Sequence, residues 1–189
     1  PDAKMGYEAC LQALEHPATA IGNVGAGTGA TVGKLCGMER ASKTGIGCYA
    51  MALGELQVAA VVVVNALGDI FDPANGTKIA GLMNEDRTAF GDSCEELWKL
   101  GCPQNLFTGN TTIGAVITNG QFNKAQMNKI ASMTRNAYAR CINPVGTMAD
   151  GDSIYAASSG DVKADINVTG TLAAHVMERA IVKAVESAR

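Results

Sequence analysis

Thr111 is the residue of this 189-residue chain whose setting points most directly to covalent chemistry. Its hydroxyl follows a Gly109-Asn110 turn and opens the apolar, strand-like stretch TTIGAVIT. If the Asn110-Thr111 bond breaks, Thr111 becomes a new N-terminus. The freed α-amino group titrates near pH ~8 and can act as base toward the hydroxyl of its own residue, the threonine form of an amine-activated nucleophile. Such chemistry needs no histidine. The chain has two, His16 and His175. His16 precedes Pro17 at the end of a helix-like segment, where an imidazole serves terminal carbonyls. His175 lies inside an amphipathic C-terminal segment, so a Ser-His-Asp arrangement finds little support.

Three further positions could assist a nucleophile. Asn65 closes the apolar run Val58–Val64 and precedes Ala-Leu-Gly-Asp69. It reads either as a turn former or as an amide donor to negative charge on an attacked carbonyl. Asp150-Gly-Asp152 sets two carboxylates just before a strand. Alone they form a solvated turn; beside a nucleophile they orient and tune its amine and hydroxyl. Lys34 follows the glycine-rich segment GNVGAGTGATVG, and in isolation it reads as a surface lysine.

That segment is not a nucleotide motif. For a Walker A loop, Thr28 stands where the first glycine is needed and Leu35 follows the lysine. A dinucleotide fingerprint forced onto Gly25, Gly27 and Gly29 lacks the acidic residue about 20 positions on that would hold a ribose. The loop is therefore structural, or it brings backbone amides close to a substrate.

The elements that must position these residues follow from hydrophobic spacing. Residues 3–15 carry Met5, Cys10, Leu11 and Leu14 at helical intervals and stop at Pro17. Residues 45–53 and 57–65 read as antiparallel strands joined at Gly54-Glu55, the second apolar at successive positions and hence covered on both faces. Residues 72–110 are rich in Gly, Asn, Asp and Pro and form the most exposed segment, apart from a short helix at 95–100. Strands are predicted at 112–118 and 153–158. Helices are predicted at 123–140 and at 169–187, the latter with Leu172, Val176, Ala180 and Ala184 as its stripe. Helices flanking doubly covered strands imply an α/β fold of αββα sandwich type in a single domain.

Composition bounds the function. The net charge is −3, with lysines and arginines scattered rather than striped, which argues against a nucleic-acid partner. Six cysteines, Cys10, Cys36, Cys48, Cys94, Cys102 and Cys141, include no C-x-x-C pair and no histidine at ligand spacing, so no metal site and no cofactor is signalled. A core this large does not need disulfides, and reduced thiols point to the cytoplasm. No apolar run is long enough to span a membrane as a helix.

Taken together, PDAKMGYEA, GNVGAGTGATVGK, VVVVNALGD, GNTTIGAVIT and DGDSIYAASSG resemble, in order, the DmpA-type peptidase family. Its members are self-processing N-terminal-nucleophile hydrolases that include aminopeptidases, β-peptidyl aminopeptidases and nylon-oligomer hydrolase. The resemblance implies an αββα sandwich and autocleavage at Asn110-Thr111. Residues 1–110 would then end the α subunit and 111–189 form the β subunit, the two products staying associated. It implies Thr111 as nucleophile and Asn65 as oxyanion donor. Lys34, Asp150 and Asp152 match active-site residues of the nylon-hydrolase branch, whereas β-aminopeptidases carry serine and glutamate at the last two positions. Peptide or other amide substrates and a homo-oligomer, a tetramer of processed pairs, are implied as well. Family members usually carry a long stretch before the segment matching PDAKMGYEA, with further strands and a pocket tyrosine. The alternatives are a non-catalytic αββα binding domain with an intact Asn110-Thr111 bond, and an acyltransferase of the ornithine acetyltransferase type.

Overall fold

The computed structural model describes residues 2–101 and 109–188. The chain opens with α1 (Ala3–Glu15), whose N-cap Asp2 accepts the Met5 N–H at 2.9 Å. Next come the short strands β1 (Thr31–Val32) and β2 (Ser42–Lys43), then the hairpin of β3 (Ile46–Leu53) and β4 (Leu56–Val63). The segment after the hairpin contains β5 (Asp69–Phe71), β6 (Lys78–Ala80) and α2 (Ser93–Leu100). The last part runs through β7 (Ile113–Gly120), α3 (Lys124–Thr134), α4 (Asn136–Cys141), β8 (Ile142–Asn143), β9 (Ser153–Val162) and α5 (Ile166–Glu186).

The main sheet has the order β3-β4-β7-β9. Leu53 pairs with Leu56 across the two-residue turn, where Gly54 takes a φ of +60°. β7 is antiparallel to β4, and β9 returns parallel to β7 after the crossover through α3 and α4. Helices α3 and α5 pack on one face of this sheet. There Val58, Val62 and Val116 meet Val176, Met177 and Ile181, all essentially without exposure. Each such side chain contributes about 1.5–3 kcal/mol of burial free energy.

The other face differs from the expectation. Along β4, burial alternates: Leu56, Val58, Ala60 and Val62 are buried, and Ala59, Val61 and Val63 only partly so. Neighbouring Ile113 and Ile117 on β7 are 49% and 44% exposed. Among the described residues the apolar run is thus covered on one face, and they build a helix-on-sheet half of the layered sandwich. Helix α1 also has no buried residue.

Three local readings change. The helix expected over 123–140 is interrupted at Arg135 into α3 and α4; just before the interruption the Thr134 hydroxyl donates back to the Ile130 carbonyl at 2.8 Å. The last helix starts earlier than 169, at Ile166, since the Asp165 side chain caps it by accepting from Asn167 and Val168 N–H. A second small sheet, β6-β5-β8, was not legible. It is organised by buried Asp69, which accepts from Leu82 N–H, Ser93 N–H, the Ser93 hydroxyl and Lys78 Nζ at 2.7–2.9 Å. Cys102 lies outside the described residues; the other five cysteines are free thiols.

Removing the Asp69 carboxylate leaves the Leu82 and Ser93 N–H groups without their acceptor and the largely buried Lys78 ammonium with the Gly91 carbonyl and the more distant Asp92 carboxylate alone. Asp69→Ala is expected to lower unfolding stability by about 3–5 kcal/mol, read as a drop in the chemical-denaturation midpoint; a change under about 1 kcal/mol would sink this assignment.

Candidate active site

The nucleophile candidate sits where the two strand registers of β7 run on beyond its end. Val63 pairs with Ile113, and two residues further the Thr111 N–H donates to the Asn65 carbonyl at 2.8 Å. On the other side β7 pairs with β9 through Ile113 and Ser153, and the same register continues to a bridge between Asn110 and Asp150. The sheet therefore sets DGD of residues 150–152 beside NTT of residues 110–112. Gly151 N–H donates to the Asn110 carbonyl at 2.9 Å, and Ser153 N–H to the Thr112 carbonyl at 3.1 Å.

Thr111 is half-buried and Asn110 fully buried. The Thr111 hydroxyl donates to the Asn110 carbonyl oxygen at 2.5 Å, the oxygen of the very bond expected to break. The neighbouring glycine is required sterically, since a Cβ on Gly151 would stand 2.8 Å from Thr111 Oγ1.

Lys34 reaches the site from the glycine-rich loop. Gly33 holds a φ of +67°, and a Cβ there would lie 1.9 Å from Leu82 N. The loop is tied down by Gly33 N–H and Lys34 N–H donating to the Gly68 and Leu67 carbonyls. Lys34 is buried rather than on the surface, 3% exposed. Its Nζ donates to Asn65 Oδ1 at 2.8 Å, to the Asn65 carbonyl at 3.3 Å and to the Gly109 carbonyl at 3.4 Å. Burial pushes its pKa down to about 8, with the Asp150 carboxylate pulling the other way. Asn65 Nδ2 donates to the Gly109 carbonyl at 2.9 Å, and Thr31 N–H reaches Asn65 Oδ1 at 3.3 Å.

The carboxylates act at one remove. Asp152 Oδ1 accepts the Thr112 N–H at 2.8 Å. Burial raises the Asp152 carboxyl above its ordinary range; the Thr112 N–H opposes this and the Asp150 charge adds to it. Asp150 accepts from Thr147 N–H and hydroxyl at 3.0 and 2.7 Å and from Leu67 N–H at 3.4 Å. In the uncut chain the Thr111 amide N–H goes to the Asn65 carbonyl at 2.8 Å; the hold of this pair on the freed Thr111 amine is an expectation for the chain after cleavage.

Thr111, Asn65, Lys34, Thr31 and Gly109 share a cavity of about 490 Å³, otherwise walled by small and apolar residues including Ala30, Met38, Val63 and Ile113. The glycine-rich loop thus lines the cavity. Neither histidine does; His175 lies on α5 beside Glu178 at 3.9 Å. Residues that sequence reasoning missed are Gly151, Thr112 and Tyr138, whose buried hydroxyl reaches the Ser153 carbonyl at 3.3 Å. The glycine between two aspartates was the one available signal. Among the described residues, no group of three His, Cys, Asp or Glu side chains could hold a metal, and no helix is long and apolar enough to cross a membrane.

Residues 2–189 match the family model described as Peptidase family S58. The chain is 34% identical over 174 residues to an uncharacterized aminopeptidase of Mycobacterium leprae (strain TN), covering 87% of this chain and 46% of the relative. It is 30% identical over 202 residues to the 6-aminohexanoate-oligomer endohydrolase of Agromyces sp. (strain KY5R), covering 97% and 56%. Among solved structures, the L-aminopeptidase D-Ala-esterase/amidase of Ochrobactrum anthropi superposes with a TM-score of 0.61 at 18% identity, covering 90% of this chain and 46% of that one. That structure is described as a variant among the Ntn hydrolase fold, and the likeness establishes the N-terminal-nucleophile hydrolase fold here. The chain belongs to Peptidase family S58. It spans about half the length of the curated relatives it matches.

The depressed Lys34 pKa has a definite sign for stability. Between about 8 and the model-compound value of 10.5 the folded protein binds fewer protons than the unfolded chain, so this group makes stability rise with pH across that window and withdraws that contribution as pH falls through about 8. A ¹³C NMR titration of the Lys34 side chain is expected to show its midpoint near 8; a midpoint with the ordinary lysines would contradict the burial of its ammonium.

Proposed function

We propose that the protein is a self-processing hydrolase of amide bonds that uses Thr111 twice. In processing, the Thr111 hydroxyl oxygen bonds to the Asn110 carbonyl carbon, the carbon–nitrogen bond breaks, and the hydroxyl proton ends on the Thr111 nitrogen. Water then hydrolyses the resulting ester, leaving an Asn110 carboxylate and a free Thr111 hydroxyl and amine. The observation that carries this reading is the 2.5 Å contact of the Thr111 hydroxyl with the carbonyl of its own preceding residue, Thr111 lining a cavity that it shares with Asn65 and Lys34.

In turnover, the amine of Thr111 takes the hydroxyl proton while the oxygen attacks a substrate amide, and passes it to the departing nitrogen. The Asn65 side chain donates to the oxyanion, and charged Lys34 adds to the favourable field. Asp150 and Asp152 position the Thr111–Thr112 backbone. An acyl-enzyme forms and is hydrolysed. Relatives named as an aminopeptidase and as an endohydrolase of 6-aminohexanoate oligomers share the task of breaking an amide, which supports peptide or other amide substrates.

After the cut, residues 1–110 and 111–189 stay together, because β7 begins just past the cut and is hydrogen-bonded between β4 of the first product and β9 of its own. A homo-oligomer of processed pairs and a cytoplasmic location, consistent with the free thiols, complete the proposal.

Intact mass under denaturing conditions tests it. The wild-type protein is expected to give two fragments meeting at Asn110-Thr111, and Thr111→Ala a single uncut chain with no amide hydrolysis. A Thr111→Ala chain that still splits would falsify the assignment.

A further inference from the structure

We infer that self-cleavage and substrate turnover draw on different oxyanion donors: the backbone N–H of Gly151 serves the first, and the Asn65 side chain is reserved for the second. This rests on the self-processing reading above.

An oxyanion donor must sit about 2.7–3.1 Å from the oxygen on which charge develops. In self-cleavage that oxygen is the Asn110 carbonyl oxygen, and Asn110 is fully buried, which shuts bulk water out as donor. Gly151 N–H meets the distance at 2.9 Å. The Asn65 side chain does not address this oxygen: its Nδ2 donates to the carbonyl one residue upstream, on Gly109, at 2.9 Å. Lys34 Nζ also points at the Gly109 carbonyl and holds Asn65 Oδ1.

The cavity makes the same division. Its lining includes Thr111, Asn65, Lys34 and Gly109 but neither Asn110 nor Gly151. A substrate entering there meets the Asn65 amide and the Lys34 ammonium, and in the uncut chain it finds both engaged by the Gly109 carbonyl. Cleavage severs Gly109-Asn110 from Thr111, and withdrawal of that end releases both donors toward the cavity. The first reaction thereby readies the site for the second. The approach of the Gly151 N–H also explains the glycine between the two aspartates, since a Cβ there would crowd the Thr111 hydroxyl.

The test follows the rate of fragment appearance after rapid refolding of the full-length uncut chain, collected in denaturant before it can split, for wild type and two variants. In one, Gly151 is replaced by glycolic acid through nonsense suppression, so that an ester oxygen stands in for the N–H with the shape retained. In the other, Asn65→Ala removes the side-chain amide but keeps the carbonyl that holds Thr111. The ester form is expected to split about 100-fold or more slowly, and Asn65→Ala within about tenfold of wild type. If Asn65→Ala slows splitting as severely as the ester does, or the ester form splits at the wild-type rate, the separation of donors is wrong. Failure of wild type itself to split would instead remove the self-processing reading.

Discussion

The hydrogen bond from Thr111 N–H to the Asn65 carbonyl is the constraint on which the site depends. It continues the β4–β7 ladder beyond the last formally paired residues, Val63 and Ile113. Position along a paired strand leaves no freedom: a one-residue slip would turn the threonine to the other face of the sheet. The same strand is pinned on its far side by β9. The hydroxyl is therefore located by the paired strands of the main sheet, although the residue itself lies in a connection. Precision of this kind is what near-attack geometry demands.

The electrostatics around Thr111 run against stability. Lys34 gives up most of its hydration, and the recovered hydrogen bonds go to oxygens of Asn65 and Gly109. Asp152 is likewise held where burial disfavours its charge. Two groups placed in surroundings that disfavour their ordinary ionisation, within one sheet end, are the arrangement expected of a site shaped for chemistry rather than for folding. Asp69 is the contrast: its carboxylate is fully supplied with donors and organises a small sheet away from the cavity.

Much of the fold was legible because it follows from local rules. The hairpin at Gly54, the β7 strand, α1 and the terminal helix all announce themselves by periodicity and caps. Thr111 and Asn65 stood out as residue types at the ends of such elements, whereas Lys34 read as a surface lysine in isolation and was singled out by the resemblance. What could not be read depends on pairing between distant segments. Nothing local says that residues 150–152 lie beside 110–112, so the bond from the Gly151 N–H to the Asn110 carbonyl was invisible. The continuous apolar run of β4 reads as doubly covered, and the described residues bury one of its faces and leave the other partly exposed.

That half-exposed face also forms part of the cavity. Val63 and Ile113, which line the space in front of Thr111, stand on the sheet side that the described helices leave bare. Any layer laid over that side becomes the opposite wall of the cavity. Selectivity and reactivity are then encoded in separate parts of the architecture. A change in that layer would reshape the space in front of Thr111 while leaving Thr111, Asn65 and Lys34 where the sheet and the glycine-rich loop hold them.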